Sequence, residues 1–315
     1  MFGYVIRRLI AAIPIALGVS MICYLLVYLA PGDPVQTLLP PDADAETVDR
    51  LKRLYGLDRP LPVQYIEWLG RVVSGDFGRS IANGRPVIEE IQRSLGNTVL
   101  LATLSVLVAF SIAFVLGTIA GRKAGTWLDR VVTGVAVLGV SVPNYWLAIV
   151  LIIIFSVELM ILPSSGTAGE RFDPTSWEHI QYLILPVITL SMIPVGIIAR
   201  TTRSAISEVM NQDFVVTLRA NGLPEWRVLK HAIKNALPPV LAVMGLQFGT
   251  LMGGSILVET VFAWPGSGYL LSKAILTRDV PVLQGTILVL AMIFVVTNLA
   301  VDLIQSTLDP RIRRG

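Results

Sequence analysis

The 315-residue sequence holds one cysteine, Cys23, and two histidines, His179 and His231. A single thiol cannot pair within the chain, which excludes an internal disulfide framework. Cys23 sits inside an apolar run and reads as a small buried or lipid-facing filler. The histidines are far apart and in no HExxH or comparable cluster, so no metal site is expected. Charge is scarce too: Asp, Glu, Lys and Arg make up 15% of the chain, against about 25% in soluble globular domains. No GxxxxGK[ST] loop occurs, so the chain is not itself a P-loop ATPase. No nucleophile–base or metal constellation marks an enzyme, and neither catalytic residues nor a nucleic-acid partner is expected.

What the sequence has instead is apolar length. Hydrophobic residues make up 54% of it, and the mean hydropathy is +0.69. Six runs approach the roughly 20 residues that a bilayer-spanning helix needs: 9–30, 97–120, 131–156, 182–199, 238–262 and 283–304. The first is longer than a signal-peptide core, and Pro31-Gly32-Asp33-Pro34 follows it in place of a small-residue cleavage site, so an uncleaved anchor helix is expected. Pro143, Pro186 and Pro194 fall within spans, where neighbouring helices can re-satisfy the carbonyls that proline frees.

Lys and Arg divide unevenly between the short connections. Fourteen lie on one side, among them Arg7, Arg122, Arg200, Arg227 and Arg311; only Arg171, Lys273 and Arg278 lie on the other. The positive-inside rule then places both termini and the segment 200–237 in the cytoplasm of a multi-pass inner-membrane protein. Between the first two spans, 31–96 carries mixed charge. Its stretches Glu46–Tyr55 and Val63–Val73 have apolar residues near helical spacing, with Pro40-Pro41, Pro60 and Pro62 between. The expected organisation is an anchor helix over 1–30, a small, partly helical extracytoplasmic subdomain over 31–96, and a core over 97–315.

Two segments carry the functional reading. In the cytoplasmic loop, Phe214, Val215, Leu218 and Leu223 make one apolar patch on a short helix ending at Gly222-Leu223-Pro224. A second helix over Glu225–Ala236 carries Arg227, Lys230, His231 and Lys234. This loop either lies on anionic lipid or docks a cytoplasmic partner. The fifth span has Gly245, Gly249 and Gly253 at four-residue spacing, which lets helix backbones approach closely. That stripe fits packing within the chain or an interface with another subunit. Asn144, Gln247 and Thr250 are polar positions within spans, fitting either a translocation path or interhelical hydrogen bonding. No span has an ionisable residue near its centre; Glu158, Glu259 and Asp302 fall toward ends. Ion-coupled transporters usually need such groups, so a conduit without its own energy source is favoured over a self-contained secondary transporter.

The segment Gln212–Pro238 resembles the EAA-type cytoplasmic loop of binding-protein-dependent ABC importer permeases. It is similar above all to the dipeptide, oligopeptide and nickel group, through Asp213-Phe214-Val215-Val216-Thr217-Leu218-Arg219-Ala220-Asn221-Gly222-Leu223-Pro224-Glu225. Leu218 stands where that group usually has Ala, and Asn221 where it has a basic residue. Further matches are Pro31-Gly32-Asp33-Pro34, Ser94-Leu95-Gly96-Asn97-Thr98, Ser141-Val142-Pro143-Asn144 and Glu259-Thr260-Val261-Phe262-Ala263-Trp264-Pro265-Gly266. The long segment after the first span is similar to the B-type subunit of these systems.

The resemblance implies an all-α membrane protein with six transmembrane helices and the type I importer permease fold. It implies a homologous second permease, two cytoplasmic ATPases that bind ATP and magnesium, and an extracytoplasmic solute-binding protein. Asp213, Phe214, Val215, Leu218, Arg219, Ala220, Gly222 and Leu223 would form the coupling helix, with the apolar patch as its buried joint with an ATPase. Short peptides are the expected cargo; nickel, glutathione or another small solute is the alternative.

Overall fold

A chain segment in hydrocarbon has no water to satisfy its peptide groups, so each apolar run must bond internally as a helix. The computed structural model describes residues 58–169 and 176–308, with residues 10, 13–22, 24–25, 44, 46, 49–50 and 53 ahead of them. Cys23, Pro31-Gly32-Asp33-Pro34, Arg171, most of 46–55 and the terminal arginines lie outside the described residues. Among the described residues after residue 60 there are ten α-helices: α1 (Leu61–Val73), α2 (Val87–Arg122), α3 (Trp127–Ser141), α4 (Asn144–Leu151), α5 (Trp177–Met210), α6 (Asp213–Ala220), α7 (Glu225–Gly254), α8 (Ile256–Val261), α9 (Ser267–Leu276) and α10 (Val280–Leu308). Helix α4 runs on as a wider π-type coil over Ile152–Glu158. Among the described residues α2, α5, α7 and α10 are long and apolar enough to cross a membrane, and α3 with α4 and its extension reaches that length and apolarity only as a bent pair. Of the first expected span, Ile13–Ile22 is a shorter apolar helix.

Proline acts differently at different sites. The third span, expected to run unbroken over 131–156, bends by 96° between Ser141 and Asn144. Val142 before Pro143 is extended (φ −83°, ψ 123°), the conformation that proline's ring imposes on a preceding residue. By contrast α5 continues through Pro186 and Pro194. Leu185, Pro186, Leu190 and Pro194 are all buried there, so packing holds the helix together, whereas Tyr145 and Trp146 beside the α3–α4 break are exposed. Helix α7 likewise passes through Pro238 and Pro239. The separate helix expected over 225–236 and the span expected from Pro238 are therefore one element. That element ends at Gly254, and Phe262 belongs beyond a further short helix.

The described residues form two compact units, one within 99–264 and 294–308 and the other within 10–98 and 265–293. In the first, Ala109 and Ala113 of α2, Ala136 of α3, Ile198 and Ala199 of α5 and Val240 of α7 make the core. The small side chains mark near backbone contact. A Cβ on Gly196 would lie 2.4 Å from Ala136 O, one on Gly117 2.6 Å from Ala199 O, and one on Gly121 2.7 Å from Arg203 O. Lipid tails supply no hydrophobic drive between spans, so such close approach is a main source of helix association.

In the second unit, Val87 and Ile91 of α2 pack with Ala274 of α9 and Val282 of α10, and Tyr24 and Trp68 pack with Leu288. Buried Asp279, one residue before α10, accepts hydrogen bonds from Ser80 Oγ, Ile81 N–H, Ala82 N–H and Val282 N–H. One carboxylate thus pins the 80–82 turn to the start of a span. Nearby, Asn97 Nδ2 donates to Pro265 O (2.9 Å) and Thr98 Oγ1 accepts from Ser267 N–H (2.7 Å). The Ser94–Thr98 and Pro265-Gly266 motifs therefore meet. The described part of 31–96 belongs to one compact unit with 265–293.

Candidate functional site

Helix α6 has only eight residues, too few for a stable isolated helix in water, so it must be fixed from outside. Gln212 enters it extended (φ −82°, ψ 151°), and Asp213 places negative charge in its first turn. It closes in a Schellman arrangement: Leu223 N–H donates to Leu218 O and Gly222 N–H to Arg219 O. Gly222 has φ +76°, a left-handed conformation that glycine adopts without steric cost. Pro224 then opens α7. Arg219 forks onto Glu225 across this turn (2.8 and 3.3 Å), an exposed pair that adds little stability.

Burial separates the two faces of α6. Val215 is 0% exposed, while Phe214, Leu218 and Leu223 are half-buried. Phe214 packs on the cluster of Ile206 and Val209 from α5 and Ala232 and Ala236 from α7. The patch expected as the joint with a partner is thus turned, at Val215 and Phe214, onto the chain's own helices. Its physical reason is the shortness of α6, which has to bury its apolar residues against α5 and α7 to exist. Facing outward are Asp213, Val216, Thr217, Arg219, Ala220, Asn221 and Gly222. Val216 is 62% exposed, as is Trp226, over whose ring the Arg227 guanidinium lies at 5.2 Å. Sequence reading missed Val216 and Trp226. The available signal was that Val215 and Val216 are adjacent, so only one of them can face inward.

The other candidate residues are dispersed. Asn144 opens α4, with its Oδ1 buried and without a hydrogen-bond partner. Gln247 and Thr250 lie on α7, the first half-buried, the second exposed with its hydroxyl on Leu246 O. Of the glycine stripe, Gly245 packs inside the chain: a Cβ there would meet Val301 Cγ2 at 2.3 Å. Gly249 lies in ordinary contact range of Phe294, Thr297 and Asn298, and Gly253 faces open space. Glu259, which sequence position puts toward a span end, is fully buried and accepts from Ser255 Oγ at 2.7 Å.

One constellation has no counterpart in the sequence reading. Asp129 in the first turn of α3 is 4% exposed. It receives a two-pronged bond from Arg203 of α5, Nε to Oδ1 at 2.9 Å and NH2 to Oδ2 at 2.7 Å. Gly125 N–H (2.9 Å) and the Thr133 hydroxyl (3.3 Å) also donate to it. The pair borders a groove of ≈ 620 Å³ lined by Arg130, Thr133, Gly134, Val137 and Leu138 on the exposed face of α3.

Comparison with known proteins shows the family and the fold. Residues 113–314 match the family described as binding-protein-dependent transport system inner membrane component, and residues 1–102 match the N-terminal region of such membrane components. A dipeptide transport system permease protein of Alkalihalophilus pseudofirmus is 40% identical over 99% of this chain and 100% of its own. A putative peptide transport system permease protein of Brucella abortus and a glutathione transport system permease protein of Salmonella choleraesuis are each 41% identical over 99% of both chains. Among solved structures, an inward-facing form of the MetNI methionine ABC transporter matches with a TM-score of 0.59 and 18% identity, over 70% of this chain and 97% of that one. The fold is that of a type I ABC importer permease.

Proposed function

The chain belongs to the family of binding-protein-dependent transport system inner membrane components, and from that premise we propose that it forms one half of an ATP-driven import path for short peptides. A homologous second permease completes the path, two ATPase subunits dock on the cytoplasmic side, and a solute-binding protein delivers cargo from outside. Both termini and the 200–237 segment face the cytoplasm. Helix α6 is the coupling element, and the observation that carries this reading is its two-faced burial. One face is welded to α5 and α7, while the other presents Val216, Arg219, Ala220 and Asn221 to a partner. A helix fixed to two long spans passes on a push that a free loop would absorb.

Peptide cargo is favoured by relatives named as dipeptide and peptide permeases. Glutathione, itself a small peptide, is a second reading favoured by relatives of equal similarity. Gly253, open on the outer face of α7, is a position for contact with the second permease, and Asn144, Gln247 and Thr250 are candidates for the path between the two. Uptake into proteoliposomes holding the whole complex tests the proposal. ATP-dependent accumulation of a labelled dipeptide, blocked by excess unlabelled dipeptide, is expected. Accumulation of glutathione alone would shift the cargo to the second reading. Uptake driven by an ion gradient without ATP would refute the proposal.

A further inference from the structure

The Asp129–Arg203 pair lies outside α6, yet every link between the two is short and stiff. Only Asn211 and Gln212 separate α5 from α6. Backbone bonds bridge even these: Asn211 N–H to Glu208 O, Gln212 N–H to Val209 O and Val215 N–H to Gln212 O, at 3.0–3.2 Å. The cluster of Ile206, Val209, Ala232, Ala236 and Phe214 joins α5, α6 and α7 around that junction. One turn further along α5, Arg203 reaches Asp129. On the α2 side Gly121 sits against Arg203 O and Ile206, and Gly125 in the α2–α3 turn donates to the same Asp129 carboxylate.

Apolar packing between α3 and α5 exists further along, at Gly196 against Ala136 and Gly139 against Met192. Such van der Waals contacts resist separation, but none of them is a directed bond that sets rotation and sliding. A forked guanidinium–carboxylate bond does fix both, because its two parallel bonds require one relative orientation. Asp129 and Arg203 themselves border the exposed groove, with Arg130, Thr133, Gly134, Val137 and Leu138 of α3. Whatever moves the first turn of α3 therefore moves that wall.

Resting on the reading of the chain as an ATP-driven permease, we propose that the Asp129–Arg203 fork is a positioning contact that makes α3, and the groove it walls, follow the movement of α6 and α5. Neither residue need touch cargo. The pair stays closed while α2, α3 and α5 move together at this end.

The test separates coupling from stability. Removing one partner strands a buried charge and destabilises, whereas replacing both by apolar residues of similar size is often neutral. The variant is thus Asp129→Leu with Arg203→Leu, accompanied by Arg203→Lys, which keeps the charge but loses the fork. Each is reconstituted as the whole complex, and ATP hydrolysis and peptide uptake are measured in the same vesicles. The double variant is expected to keep its melting temperature and hydrolysis rate while solute moved per ATP falls at least about fivefold, the lower end for coupling between sites. Arg203→Lys should fall between it and wild type, and its ratio decides the matter if the double variant does not assemble. An unchanged ratio with wild-type uptake intact overturns the positioning role alone. Absence of ATP-driven uptake in wild type overturns the proposed function, and the positioning role with it.

Discussion

Val215 and Val216 have the same side chain, adjacent positions and opposite surroundings, 0% against 62% exposed. If α6 is held by its inner face and docks by its outer one, the two positions should fail in different ways. Val215→Ala removes two methyl groups from a filled site, about 1.6 kcal/mol at 0.8 per buried carbon, and the unfilled volume raises the cost to roughly 2–3 kcal/mol. Melting should fall by roughly 4–12 °C at 2–4 °C per kcal/mol for a unit of this size, with partner binding retained at low temperature. Val216→Asp changes only an exposed position, where substitution costs within about 0.5 kcal/mol, so melting should not move. It places a carboxylate in the middle of the outer face, and ATPase subunits should no longer copurify. The assay is thermal unfolding of the purified permease beside quantitative copurification. Equal melting temperatures for wild type and Val215→Ala, or undiminished copurification with Val216→Asp, would refute the two-faced account.

Further outcomes follow from other contacts. Gly196→Ala puts a Cβ 2.4 Å from a backbone oxygen that cannot swing aside and should abolish the folded, detergent-extractable protein, while Gly253→Ala, with open space around it, should leave melting unchanged or slightly raised. Asp279→Ala strands the Ser80, Ile81 and Ala82 donors, and the 80–86 loop should become a site of limited proteolysis that is absent in wild type. Glu225→Gln removes one side of an exposed ion pair and should leave the melting temperature where it was.

The spans were legible because their cause is compositional: hydrocarbon selects long uncharged runs whatever they pack against. Gly222 was legible because a left-handed helix end calls for glycine and the following Pro224 restarts the chain. The fate of each proline was not. Pro143 breaks a span and Pro186, Pro194, Pro238 and Pro239 do not; close neighbours confine Pro186 and Pro194, whereas Pro239 is exposed within a continuous helix. Neighbours likewise hid the inner face of α6, where Phe214 packs on residues of α5 and α7 and Val215 is fully buried. Asp129 and Arg203 are 74 positions apart, and in sequence the arginine counts only toward the basic side. The glycine stripe of α7 was visible, but the tighter approaches at Gly117, Gly121 and Gly196 were not, because their partners are backbone atoms of other spans.

Site-specific photo-crosslinking from position 216 tests the central claim most directly. With a benzophenone side chain in place of Val216 and the chain produced together with its partner subunits, illumination should join it to a P-loop ATPase, identified by mass spectrometry of the adduct. The same side chain at exposed Val135 on α3 should give no such adduct. Crosslinks from position 216 to lipid alone, in cells where the ATPase subunits are present, would contradict α6 as the docking element and with it the account of how this permease is driven.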